Sequence, residues 1–285
     1  TTVLLGGDYV GSGRNRTPDF SIEELKIEIF SVLDKNSTDA YFTYGSHDSN
    51  CEEGYSAFFT GPKKVNNYYI YGITYIQMVY STDEQAQEAI DLASSDDSSS
   101  SSVRPYTGID ADNGFGISAE SASANFLSWV NSLNDTYPIV LMSHVPLHVH
   151  RGDNFGAEKW FQALEKAAET HDIIFFFGHN HTLEERSRDE SGVTIEQDVY
   201  LLLSGDSIDV QGATKDETQT HVLNFTYANA GYLKLGFCTL VTFIDGDGDG
   251  QHDFVQLYRF NALGDDPEKF GQTEYKNPRN IKLSK

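Results

Sequence analysis

Basic residues and cysteines are scarce in this chain of 285 residues, which carries 20 lysines and arginines against 43 aspartates and glutamates, and two cysteines. The formal net charge of -23, with a pI near 4.5, repels a nucleic-acid backbone and an anionic membrane at long range, so neither is expected as a partner. Cys51 and Cys238 lie far apart without ligand spacing, which leaves one bridge and two buried thiols equally open. No apolar run approaches the roughly 20 residues that span a bilayer, and no signal peptide is visible. The chain opens on Thr1 inside a strand-like segment, which reads as a processed or truncated start and leaves export open.

What is present suits one domain with a substantial core, so residues 1–285 are read as a single α/β unit. Strand-like and helix-like segments alternate. Thr2 to Leu5 reads as a strand, Ser21 and Glu24 as the capping box of a helix with Ile22, Leu25, Ile29 and Leu33 on one face, and "DAYFTY" as a second strand. "YYIYGITYIQMVY" is aromatic and β-branched, hence strand or hairpin, and "STDEQAQEAIDLA" opens on a capping box and reads as a helix. Residues 94–112 include "SSDDSSSSSV", which has nothing to bury and is expected as a flexible surface loop. A helix over Ala119 to Leu133, strand "PIVLM", helix "AEKWFQALEKAAE", and strands "DIIFFF" and "VYLLL" follow. From 221 to 285 the pattern changes to "HVLNFTYA", "YLKLGFCTLVTFI" and "FVQLYRF", which predicts an antiparallel β-rich part.

Four apolar strands end in polar loops: "VLLGGD" at Asp8, "AYFTYGSHD" at His47 and Asp48, "IVLMSH" at His144, and "IIFFFGHNH" at His179 and His181. Ligands of open α/β sheets sit outside the carboxyl ends of the strands, so these loops can converge on one edge. Imidazole and carboxylate are the usual donors for zinc, iron or manganese, and a pair of ions roughly 3.5 to 4 Å apart clamps the attacking and leaving oxygens of phosphoryl hydrolysis.

The ordered set "GD", "GSHD", "SHVPLH" and "GHNH" resembles the calcineurin-like metallophosphoesterase superfamily over about Val3 to Thr182. That resemblance implies two mixed β-sheets packed as a sandwich and flanked by helices, a four-layer architecture. It implies a dinuclear centre in which Asp8 bridges both metals, His181 joins the first ion, and His144 and His179 join the second. His47, beside Asp48 in the Gly-x-His-Asp turn, would face the substrate and assist the leaving group. The reaction implied is hydrolysis of a phosphate ester by a hydroxide held between the metals.

Two departures stand against this pattern. The family's Asp-x-His motif, which lies upstream of Gly-Asp, has no room before Asp8, and the expected explanation is an incomplete N-terminus. Ser46 stands where the family has a metal-binding asparagine, and a neutral hydroxyl is the weaker ligand. Together they support a rival reading, a catalytically impaired relative that serves as a secreted binding module.

"GDYV" is shared with serine/threonine protein phosphatases, but these continue with Asp-Arg-Gly where this chain has Gly11, Ser12 and Gly13. "SHVPLHVHRGDNFGAEKW" followed by "GHNH" is more similar to extracytoplasmic bacterial phosphoesterases. His148, His150, Arg151 and Asn154 are expected to line the substrate pocket, with Arg151 as a bidentate phosphate clamp.

A second cation site is expected in "DGDGDGQHD", where Asp245, Asp247, Asp249 and Asp253 occupy relative positions 1, 3, 5 and 9 with glycine at 6. This matches the acidic half of a calcium loop, although Gln256 replaces the glutamate of position 12 and strands flank it. A secreted or extracytoplasmic location is the expectation that the acidity, the serine loop and this site suggest.

Overall fold

The structure is a computed structural model that describes residues 2–7, 39–43, 45, 61–94, 115–149, 154–179, 184–188, 194–198, 201–214, 217–232, 237–261 and 279–285. Its elements in chain order begin with β1 (Thr2–Leu5), β2 (Asp39–Phe42), β3 (Gly61–Val65) and β4 (Tyr68–Ile73). Two helices follow, α1 (Tyr75–Val79) and α2 (Asp83–Ser94), then α3 (Ala119–Ser132), β5 (Ile139–Ser143), α4 (Ala157–Ala167) and β6 (Ile173–Phe177). The remainder is β7 (Glu184–Arg188), β8 (Thr194–Asp198), β9 (Leu201–Leu202), β10 (Ser207–Gln211), β11 (Thr218–Val222), β12 (Thr226–Asn229), β13 (Gly231–Tyr232), β14 (Phe237–Ile244), β15 (Phe254–Asn261) and β16 (Arg279–Lys282). The protein is mixed α/β with several sheets, as its sequence pattern predicts.

The central sheet runs β3-β4-β5-β6-β12-β9, with β4, β5, β6 and β12 mutually parallel. Strands β5 and β6 are buried along their whole length, which is why they read as unbroken apolar runs rather than alternating ones. Their side chains still alternate between two cores. Tyr71, Leu141, Phe175 and Tyr227 join the helices on one face, where Phe126 of α3 and Trp160 of α4 are fully buried. Ile70, Val140, Met142, Ile174 and Phe176 face the other way, toward Val255 and Leu257 of the sheet β13-β14-β15-β16. Helices, central sheet and second sheet thus form three layers among the described residues. The helix expected at 21–33 and the serine-rich loop lie outside them.

Three details depart from the sequence reading. The run "YYIYGITYIQMVY" is only half strand. Thr74 accepts from the Gln77 N–H while the Gln77 side chain accepts from the Thr74 N–H, and this reciprocal cap starts α1 despite the β-branched composition. "HVLNFTYA" is two strands, and β12 pairs parallel with β6, so the central sheet takes a strand that the pattern assigned to the antiparallel part. The polar hairpins β7–β8 and β10–β11 carry little hydrophobic alternation and escaped notice. "FVQLYRF" and the end of "YLKLGFCTLVTFI" form the antiparallel pair β15 and β14, as expected.

No described helix is long and apolar enough to cross a membrane. A cavity of about 480 Å3 lies between the two sheets, bordered by Leu4, Met142, Phe176, Val241 and Phe243.

The contact of α4 with α1 and α3 is close enough to test. Gly156, just before α4, donates its N–H to the carbonyl of Met78 at 2.8 Å, and a side chain on it would meet the Ala119 methyl and lie 2.6 Å from the Met78 oxygen. Gly156→Ala should therefore cost about 1–3 kcal/mol by urea denaturation with an unchanged slope, the price of overpacking. An unaltered midpoint would contradict this packing.

Candidate metal centre

Strands β5 and β6 are adjacent and parallel, with Ser143 paired to Phe177, so the residues that follow them leave the sheet on the same edge. His144 follows β5 directly and is buried. Its Nδ1 lies 2.6 Å from the carbonyl oxygen of Gly6. A carbonyl can only accept, so the proton sits on Nδ1 and Nε2 presents a lone pair. That Nε2 lies 3.0 Å from Nδ1 of His179.

His179 reaches this position through a turn. Gly178 donates its N–H to the carbonyls of Ser143 (3.2 Å) and His144 (3.1 Å), and His179 then adopts a left-handed backbone with φ 61°. Such a conformation costs a non-glycine residue about 1–3 kcal/mol and is commonly held in place at functional sites. Here it returns the imidazole toward the neighbouring strand. Tyr75, at the start of α1, places its ring 6.3 Å from both imidazoles.

The ends of β1 and β2 meet the same spot. A Cβ on Gly7, whose φ is +90°, would lie 2.7 Å from Gly45 Cα and 2.7 Å from His144 Nδ1; one on Gly178 would lie 3.2 Å from the Gly6 oxygen. Glycine is needed at position 7 both for its dihedral and for this approach. Four strand ends therefore come together: Gly6–Gly7, Gly45, His144 and Gly178–His179. Asp8, Ser46, His47, Asp48 and His181, expected in the site from these same loops, lie outside the described residues, as do His150, Arg151 and Cys51.

The donors that are described fit a divalent transition cation. Two nitrogens each about 2.1 Å from one ion, subtending octahedral to tetrahedral angles, lie about 3.0–3.4 Å apart, and this pair at 3.0 Å matches the lower end of that range. The Gly6 carbonyl supplies the outer hydrogen bond that ligating imidazoles ordinarily make.

His148 and Asn154 were expected to face substrate, and the structure places both inside the protein, at 0% exposure. Asn154 Nδ2 donates to the carbonyls of Pro146 (2.8 Å), Leu147 (3.3 Å) and His148 (2.9 Å). The His148 Nδ1 is 2.7 Å from the Tyr227 hydroxyl. Burial pushes the His148 imidazole down to about 3, so it is neutral at physiological pH. These groups satisfy the loop rather than an open pocket. Tyr227 itself escaped the sequence reading because, in an apolar strand, only its aromatic character shows.

In the acidic hairpin between β14 and β15, carboxylate oxygens of Asp245, Asp247 and Asp253 lie within 4.8 Å of one another, while Asp249 is not part of that group. Backbone N–H groups of Gly250 and Gly248 donate to Asp245 and hold its carboxyl below the usual carboxylate range. Asp253 accepts from Gly246, and Asp249 from Gln251. The loop closes on its own amides.

A mixed α/β sheet with paired histidines at the carboxyl ends of adjacent parallel strands defines a class of candidate metal-dependent proteins. The family model described as calcineurin-like phosphoesterase matches residues 1–183, and the chain belongs to that family. The family is generally hydrolytic toward phosphoesters and generally binds two divalent metals. A search of curated proteins gives no significant match.

Neutral burial of His148 has a pH consequence. Its folded pKa lies below the unfolded value of about 6.5, so the stability it contributes is complete above that value and is lost as pH falls toward its folded value. Between pH 7 and pH 5 the wild type should lose about 2 kcal/mol more than His148→Asn by urea denaturation. A difference independent of pH would show that the imidazole takes up its proton in the fold.

Proposed function

We propose that this protein is a metal-dependent phosphoesterase acting on a small phosphate ester, built on the four-layer architecture of its family. The observation that carries the reading is the His144–His179 pair, presented at 3.0 Å by two rigid strand ends within a chain of this family. When bound, two divalent cations, zinc, iron or manganese, supply Lewis acidity that makes water a competent nucleophile near neutral pH and neutralises phosphoryl oxygens. His144 would hold an ion through Nε2 while Gly6 keeps its proton on Nδ1. His179 would hold the same ion through Nδ1, with its left-handed backbone fixing the aim. In the same reading Asp8, His181 and Ser46 add ligands, His47 with Asp48 assists the leaving group, and Arg151 binds the phosphate. An extracytoplasmic location belongs to this reading too, supported by the acidity of the chain.

A second reading is a binding module with impaired chemistry, supported by Ser46 in place of the family's asparagine and by the convergence of Asp245, Asp247 and Asp253, where calcium would bind. Activity separates the two. Manganese- or zinc-dependent hydrolysis of an aryl phosphate is expected for the wild type, falling by more than about a hundredfold in His144→Ala and His179→Ala. Full activity in either variant would remove the proposed site. Metal-loaded wild type with no turnover, together with a calcium calorimetric signal abolished by Asp247→Ala and Asp253→Ala, would favour the module.

A further inference from the structure

We infer that Tyr227 is a positioning residue for the proposed metal site: its hydroxyl sets the course of the loop that carries His144. The inference rests on the metal-dependent reading above and adds to it a residue from a different part of the chain.

Tyr227 lies on β12, the parallel neighbour of β6, opposite Phe175. Its ring stacks on Phe177 with centroids 4.5 Å apart and an interplanar angle of 21°. This stacking holds the phenol rigidly and delivers its oxygen to the far side of the β5 loop. There the oxygen accepts the N–H of Leu147 at 2.9 Å and that of His148 at 3.4 Å. Two donors fill its lone pairs, which leaves its own proton for His148 Nδ1 at 2.7 Å and puts the imidazole proton on Nε2. The same loop is held from its other side, where Asn154 spans the carbonyls of Pro146, Leu147 and His148. Val149 adds a bond to the Asp209 carbonyl of β10, and Ser143 Oγ one to the Val145 carbonyl. From Ser143 to Val149 the backbone is thus fixed by groups from β5, β10, β12 and the approach to α4, all converging on the few residues after His144.

Stability alone does not call for this construction. Burying a phenol, an imidazole and an amide together costs more than filling the space with apolar side chains, and Asn154 Oδ1 is buried without a hydrogen-bond partner among the described residues, whereas hydrogen bonds that converge on one loop define its backbone path. The ligand at the head of that path needs such definition, because its Nε2 and Nδ1 of His179 must be held within about 0.5 Å of the positions from which both can reach one cation.

The test measures metal affinity, not only turnover. Cobalt(II) is titrated into full-length wild type, Tyr227→Phe, His148→Asn, Asn154→Ser and His144→Ala, following visible absorption at a temperature where circular dichroism shows each protein folded. Tyr227→Phe keeps the ring stack and loses only the hydroxyl. It should bind cobalt about tenfold more weakly with an altered band shape, the low end of the loss that follows when a ligand's direct hydrogen-bond partner is removed, because Tyr227 acts on His144 through the loop. Asn154→Ser, too short to span three carbonyls, should weaken binding likewise, and provides the test if Tyr227→Phe does not fold. His148→Asn keeps an acceptor for the phenol and should stay within about twofold of wild type. If His144→Ala loses affinity while Tyr227→Phe and Asn154→Ser bind as the wild type does, the positioning role is wrong and the metal site stands. If His144→Ala binds as the wild type does, the metal site itself fails and the positioning role with it.

Discussion

Nδ1 of His144 donates to the carbonyl of Gly6 across 138 residues of chain, and the arrangement of the strand ends follows from that contact. It couples the end of β1 to the end of β5 and fixes the imidazole tautomer. It also demands a main chain at Gly6–Gly7 that no side chain obstructs. A methyl group on Gly7 would strike His144 and Gly45 together, so the approach of β1 to β2 and its approach to β5 are one constraint. The hydrogen bond from Gly178 to the His144 carbonyl then brings β6 to the same place. A single imidazole in a definite tautomer is thereby surrounded by four strand ends.

The sheet beneath makes such definition affordable. Strands β5 and β6 are covered on both faces, by Trp160, Phe126 and their neighbours on one side and by Val255 and Leu257 on the other, so their ends move little. The left-handed backbone of His179 is tolerated on this platform. Polar groups are buried where they hold the loop, as with Asn154, His148 and Tyr227. By contrast, the acidic hairpin stands in solvent, where mutual repulsion of its carboxylates is relieved by their own loop amides.

Much of this was legible in the residues because the strongest sequence patterns come from the elements buried most. "PIVLM" and "DIIFFF" announce two-sided burial, and the first histidine of "GHNH" at the end of such a run marks a strand tip bearing an imidazole, His179. Tertiary contacts were not legible. The bond to Gly6 is made by a carbonyl that every residue possesses, so nothing in the sequence marks it. His148 and Asn154 look like loop residues free to meet a substrate, because polarity does not reveal which partners a side chain will find. Thr74 and Gln77 show the reverse case, a local cap strong enough to turn a β-like composition into a helix. The split of "HVLNFTYA" was hidden since an unbroken β-rich run gives no sign of a change of sheet.

The central claim is that His144 and His179 are two ligands of one cation, and a crystal structure of the protein soaked in manganese or zinc, with anomalous scattering at the metal edge, tests it most directly. The account predicts an anomalous peak about 2.0–2.2 Å from both Nε2 of His144 and Nδ1 of His179, with Nδ1 of His144 still on the Gly6 carbonyl. A metal-saturated protein in which the two imidazoles keep their direct contact while the ions bind elsewhere would contradict it.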